Sequence, residues 1–328
     1  MKPCCPPRLL FLLLLLLALV GFVLALGSGS QDLGLADLFD GSRPERTALA
    51  WSLVQELRLP RALCAFAVGG LLALAGVLMQ VLLRNPLGDP YILGVSGGAA
   101  FAVLLSMLLG FSSTWLTGAA FGGALCSMLT VFLLARGQGP RSDTRLLLTG
   151  VVMAAGWSAL VSLVLALSPA QRLPGMLFWL MGDLSDADTP LAPLLLLGLG
   201  TLAALGLARP LDLLQQGESQ AAALGVSTGA LRSGIFLLGS LLTAAAVTVA
   251  GSIGFVGLVV PHMFRFLGGA GHRLLVPGSV LLGGTLLLLA DTLARTLTAP
   301  QQLPVGVITA LLGVPLFLYL LNRNMRLS

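Results

Sequence analysis

YILGVSGGAAFAVLLSMLLGFSSTWLTGAAFGGALCSMLTVFLLA, residues 91–135, runs for 45 residues without one Asp, Glu, Lys or Arg. An α-helix rises about 1.5 Å per residue, so about 20 apolar residues cross a hydrocarbon core of about 30 Å. The stretch is too long for one crossing and too apolar for water. It is read as two spans, 91–110 and 114–135, that turn at Gly110-Phe111-Ser112-Ser113.

Working outward, charges and Pro/Gly clusters mark the connections. Further spans are expected at 9–27, 61–83, 146–167, 191–208, 233–251, 253–267, 274–294 and 304–321. That makes about ten transmembrane helices in a single all-α membrane domain covering residues 1–328. The apolar stretch after Arg232 is again too long for one helix, and Gly251-Ser252-Ile253-Gly254 divides it. Between 168 and 190, Pro169, Pro174 and Pro190 bracket a short apolar piece around Met176–Met181. It is too short to cross and is expected as a half-helix at the membrane surface.

Composition agrees. Hydrophobic residues make up 57% of the chain and charged residues 9%, where a soluble domain carries about 25% charged. The 41 glycines suit helix backbones that approach closely in lipid. Aromatics are scarce at 6%, and the apolar runs are longer than barrel strands need. The net charge of +5 comes from scattered residues and forms no basic stripe, so nucleic acid is not an expected partner. Cys4, Cys5, Cys64 and Cys126 show neither CxxC spacing nor a nearby His, and are read as free thiols with no metal site. The first apolar run, Leu9–Gly27, follows Lys2 and Arg8 as a signal peptide would. It is longer than the usual h-region of about 7–15 residues, so a retained first helix is expected.

With the N-terminus in the cytosol, twelve basic residues fall inside and six outside, as the positive-inside bias requires. Both termini are then cytosolic.

Three segments carry more than composition. The first holds Arg58-Leu59-Pro60-Arg61, then Gly76-Val77-Leu78-Met79-Gln80, then residues 84–98, RNPLGDPYILGVSGG. The second is Gly251–His262, GSIGFVGLVVPH, with Arg265 and His272-Arg273 after it. The third has Ala290-Asp291, Arg295, Leu303–Ala310 (LPVGVITA) and Gly313–Phe317 (GVPLF). In this order they resemble the FecCD-type permeases of bacterial ABC importers, which serve iron-siderophores, haem and cobalamin.

The resemblance implies the type II importer fold in the bacterial inner membrane. It implies a homodimer, two ATP-binding cassette ATPase subunits below it, and an extracytoplasmic substrate-binding protein above. ATP and Mg would be used by the ATPase, with no cofactor in this chain. It also implies related inverted halves, although no sequence identity between them is visible.

Site residues follow from the same resemblance, each beside a plainer reading. Asn85 and Leu87, in the turn Asn85–Pro90, would narrow the cytosolic mouth; two prolines also make a simple turn there. Asp143 and Thr144 would form the other half of this gate, and Ser142 or Asp143 equally suits a helix N-cap. Gly217, Glu218, Ala221, Leu224 and Gly225 resemble a coupling helix for the ATPase; a solvated loop is the alternative. Arg58, Arg61 and Arg295 would meet acidic residues of the binding protein, or else snorkel at the interface. Asp291 and Arg295, one turn apart, are placed to pair. His262 is read as a packing or hydrogen-bonding residue, while Tyr91, Trp157 and Trp179 carry no assigned role.

Other function classes fit less well. An ion-driven secondary transporter keeps acidic residues near the membrane midplane, and here Asp and Glu fall at span ends or in loops. An intramembrane enzyme would need a catalytic pair within the spans, and no HExxH or GxxxxGK[ST] motif is present.

Overall fold

The computed structural model describes residues 6–29, 35–38, 42–135, 142–269 and 271–325, and every regular element among them is helical. In chain order the helices are α1 (Pro7–Gly27), α2 (Pro44–Leu53), α3 (Leu59–Leu82), α4 (Val95–Leu109), α5 (Ser113–Ala135), α6 (Ser142–Leu167) and α7 (Leu173–Met181). They continue as α8 (Leu191–Gly206), α9 (Ala208–Gln216), α10 (Glu218–Ala223), α11 (Thr228–Ala250), α12 (Val256–Gly268), α13 (His272–Thr296) and α14 (Val305–Met325). Among the described residues, six helical stretches are long and apolar enough to cross a membrane, and the bent pair α8–α9 makes a seventh. α4, α12 and the Val305–Tyr319 part of α14 are apolar but shorter.

Small residues place α3 at the centre. Along its length Ala62, Ala65, Gly69, Ala73 and Gly76 let neighbouring backbones approach, and nearly every side chain is enclosed. A Cβ at Gly69 would collide with the backbone of Gly283 in α13, and one at Gly76 with that of Gly257 in α12. Helices without a hydrophobic drive between them associate through such close packing. α8, α11, α12 and α13 surround α3, and α1 lies against α13. α4, α5 and α6 form a second group that meets the first through α11. Outer faces of α1 and α6 carry exposed leucines and valines, as a lipid-facing surface does.

The structure departs from the expected connections in three places. The helix of the second span begins well before residue 61. α2 continues through a π-helical turn, Val54–Arg58, into α3, so one helical rod covers Pro44–Leu82. Pro60 offers no N–H to the turn before it; a widened turn at this point lets the rod continue. The piece around Met176–Met181 is helical, as α7, and the backbone at its C-terminal end packs against the bundle while Leu177 and Phe178 stay exposed. A Cβ at Gly251 would collide with the Trp179 carbonyl, and one at Gly306 with that of Met181. Thirdly, the sixth span bends by 60° after Gly206, and α9 and α10 follow.

The break between α11 and α12 falls at the expected glycines. Its irregular backbone is satisfied inside the protein, as lipid requires. Asp183 N–H donates to Ala250 O at 2.9 Å, and Ile253 N–H donates to Tyr91 Oη at 3.2 Å. Pro261 then leaves the Gly257 carbonyl without its helical donor. Gln80 of α3 faces that gap, its Nε2 lying 3.5 Å from Gly257 O and 3.2 Å from Leu258 O. Arg265 in turn donates to Gln80 Oε1.

Candidate functional site

The two ends of the bundle differ in chemistry. At one end, α1 stops at Gly27 and exposes its last carbonyls, which have no partner within the helix. Three arginines answer them or their neighbours. Arg58 Nη1 donates to Leu26 O at 2.8 Å, and Arg295 donates to Ala25 O and Ser28 O at 3.3 Å each. Positive groups at a helix C-terminus also meet the negative end of its dipole.

Asp291 lies beneath them with no exposed surface. Its Oδ1 accepts from Arg61 Nη2 at 2.8 Å and Nε at 3.0 Å, and its Oδ2 from Arg295 Nε at 3.0 Å. Arg61 Nη1 reaches Gln302 Oε1 at 2.9 Å. A buried carboxylate requires such partners. Above the cluster opens a cleft of about 210 Å³, walled by Glu56, Leu57, Arg58, Arg61, Asp188 and Arg295 among others.

The three arginines expected to meet a binding protein thus line this cleft while lying largely enclosed. Arg58, Arg61 and Arg295 are 8%, 8% and 5% exposed, and their donors are engaged within the chain. The pairing of Asp291 with Arg295 is present as expected, and Arg61, from a distant part of the sequence, joins it.

At the opposite end, Asn85 folds its side chain onto its own turn, with Oδ1 accepting from Leu87 N–H at 2.9 Å. Leu87 is exposed, as is Thr144 in the first turn of α6. The helix already includes Ser142 and Asp143, but their side chains lie outside the described set, so the capping and gate assignments for Asp143 are not described. Asp89 closes the turn by accepting from Tyr91 N–H at 2.7 Å.

Gly217 turns the chain with φ 139°, α10 occupies Glu218–Ala223, and Gly225 ends it with φ 83°. Glu218 is tied to Arg232 of α11 at 3.3 Å. Ala221 is fully buried against the rest of the chain, so its side chain offers no surface to a partner; Leu224 is 66% exposed.

Several polar contacts were not legible in the sequence. Trp157 Nε1 donates to Ser127 Oγ, which donates to Gly94 O, each at 2.8 Å, joining α6, α5 and the start of α4. Asp212 meets His272 at 2.6 Å. The available signal was polarity in apolar surroundings, strongest at Gln80, but it names no partner. His262 is buried and packs edge-on to Phe266. Cys64 and Cys126 are free thiols.

Small-residue crossings, long apolar helices and an internally satisfied helix break define a multi-pass helical membrane protein. The model of the FecCD transport family matches residues 15–323, and the chain belongs to that family. It is 42% identical to the hemin transport system permease protein HmuU of Yersinia pestis, covering 97% of this chain and 96% of the relative. The molybdate import system permease protein MolB of Haemophilus influenzae is 38% identical, with 99% of each chain covered. The vitamin B12 import system permease protein BtuC of Shigella boydii is 37% identical, with 96% and 95% covered. A solved structure described as an inward-facing conformation of a metal-chelate type ABC transporter superposes with a TM-score of 0.87 at 36% identity. It covers 97% of this chain and 100% of that one. The fold is that of a type II ABC importer permease.

Proposed function

We propose that two copies of this chain form the pathway of an ATP-driven importer that moves a metal chelate into the cytoplasm. Iron-siderophore, haem and cobalamin are the candidate cargoes. The chain crosses the inner membrane about ten times with both termini in the cytosol. The arginine end faces outward and receives the extracytoplasmic binding protein; the α10 end faces the cytosol and receives the ATPase, which uses ATP and Mg.

The observation that carries this reading is the pairing of two different polar ends across one apolar bundle. One end opens a charged cleft; the other presents a short helix with an exposed Leu224 next to a polar turn. Relatives named for hemin and vitamin B12 support the chelate class, and one named for molybdate shows that the fold also serves an oxyanion system. Asp291 supports an importer over an ion-driven carrier, because two arginines already hold its carboxylate.

The test is co-purification with candidate ATPases, then ATP hydrolysis and uptake of haemin or ferric chelates in proteoliposomes. ATP-dependent uptake is expected. Uptake that follows an ion gradient without an ATPase would overturn the reading.

A further inference from the structure

α9 turns Ala208, Leu211 and Leu214 into the core, and all three are buried. Asp212, next to Leu211, reaches sideways to the start of α13. Its Oδ1 accepts from the backbone N–H of His272 at 3.0 Å and lies 2.6 Å from His272 Nδ1. His272 is the first residue of α13, so that N–H has no acceptor in its own helix. The carboxylate also faces the positive end of the α13 dipole. The imidazole has no exposed surface, and its Nε2 has no hydrogen-bond partner. Asp212 thus supplies the polar contact that holds this ring.

The segment α9–α10 has a second anchor, Glu218 to Arg232 of α11. That pair is 3.3 Å apart with the Glu218 side chain 41% exposed, a geometry in which ion pairs contribute little. The Asp212–His272 contact is shorter and one partner is enclosed. Apolar packing of Leu211 and Leu214 resists separation but permits sliding; a carboxylate bonded to both backbone and ring fixes position. From this point α13 runs for 25 residues to Thr296 and carries Asp291 and Arg295 at the arginine cleft.

We propose that the Asp212–His272 clamp transmits movement of α9–α10 to α13, and through α13 to the cleft that holds Arg61 and Arg295. The two residues are positioning residues and touch neither nucleotide nor cargo. The proposal rests on the importer reading, in which the ATPase pushes on α10.

The test uses the complete complex in proteoliposomes, with haemin as cargo. Co-purification of the ATPase, basal hydrolysis, stimulation of hydrolysis by the binding protein, and uptake per ATP are read separately. Asp212→Ala and His272→Gln should retain assembly and basal hydrolysis. Stimulation and uptake per ATP should fall by about fivefold or more, the lower end of an ordinary coupling free energy. Asp212→Asn, which keeps an acceptor, should retain most of the stimulation. Wild-type stimulation and uptake per ATP in Asp212→Ala would overturn the proposal. So would loss of assembly in both Asp212→Ala and Asp212→Asn, since the pair would then serve folding alone. If the wild-type chain recruits no ATPase, the importer reading falls and takes the clamp with it. Normal wild-type coupling beside an indifferent Asp212→Ala removes only the clamp.

Discussion

Asp291 shows how one residue sets the character of a site. Its carboxylate is enclosed, and two guanidinium groups neutralise it. Removing one member of a buried charged group leaves the others uncompensated and costs about 3–5 kcal/mol. Asp291→Asn is therefore expected to lower the melting temperature of the purified permease sharply, read by thermal unfolding in detergent. Charge reversal at Arg61 should do the same, through folding and not through docking. Arg58 has a different setting: it donates to a helix-end carbonyl and lines the cleft. Arg58→Gln, which keeps a donor for Leu26 O, should lower melting less than charge reversal at Arg61 while weakening binding-protein capture and its salt dependence. Unchanged capture would remove the cleft from the docking surface. Asp89 offers a second residue-scale test, in the turn between α3 and α4. Burial pushes its carboxyl up to about 6, against the opposing pull of the Tyr91 N–H. A raised folded-state value means that the folded protein holds the proton more tightly than the unfolded chain. This stabilisation is present in acid and is lost as pH rises through about 6. The melting temperature should fall across that range in wild type and fall less in Asp89→Asn. Equal pH slopes would show that Asp89 does not titrate as its burial dictates.

At the scale of elements, α12 depends on a side chain from another helix. Pro261 removes a backbone donor, and Gln80 of α3 stands at the freed carbonyl while Arg265 holds Gln80. Gln80→Leu should leave α3 intact, since Leu is a good helix former. It should loosen α12 by about 1–3 kcal/mol, the cost of a buried polar group left unpaired. Hydrogen exchange in Val256–Gly268 would reveal it; protection equal to wild type would mean that Gln80 is dispensable. The coupling helix is tested by a single change. Leu224→Asp alters a largely exposed side chain, so it should abolish ATPase co-purification while leaving folding near wild type. Glu218 is a poorer probe, because its reversal would also set two positive groups against each other at Arg232. Much of this scale was legible in advance. Apolar run lengths, the turn at Gly110 and the break at Gly251 are local properties, governed by hydration and by backbone permissiveness. The rod through Val54–Arg58 was not legible, because charged residues there look like a loop until packing shows that the backbone stays helical.

For the whole molecule, the turn bearing Leu87 and the first turn of α6 bearing Thr144 are proposed to meet their symmetry mates in the homodimer. Cysteine at either position should cross-link between subunits in one nucleotide state and separate in another. Cross-linking indifferent to nucleotide would make these turns static. Membrane residence and helical class follow from the sequence by itself, since water rejects long uncharged runs wherever they lie in the chain. The family was likewise visible in the ordered motifs from Arg58 to Phe317. Only the tertiary structure decided what the polar residues are for. It enclosed Arg61 and Arg295 around Asp291, turned Ala221 inward and Leu224 outward, and joined Asp212 to His272. Arg61 and Asp291 lie 230 positions apart, and a charge in a linear chain carries no record of which distant charge will neutralise it. That choice is made when helices cross, where desolvation forces each buried polar group to find a partner within reach.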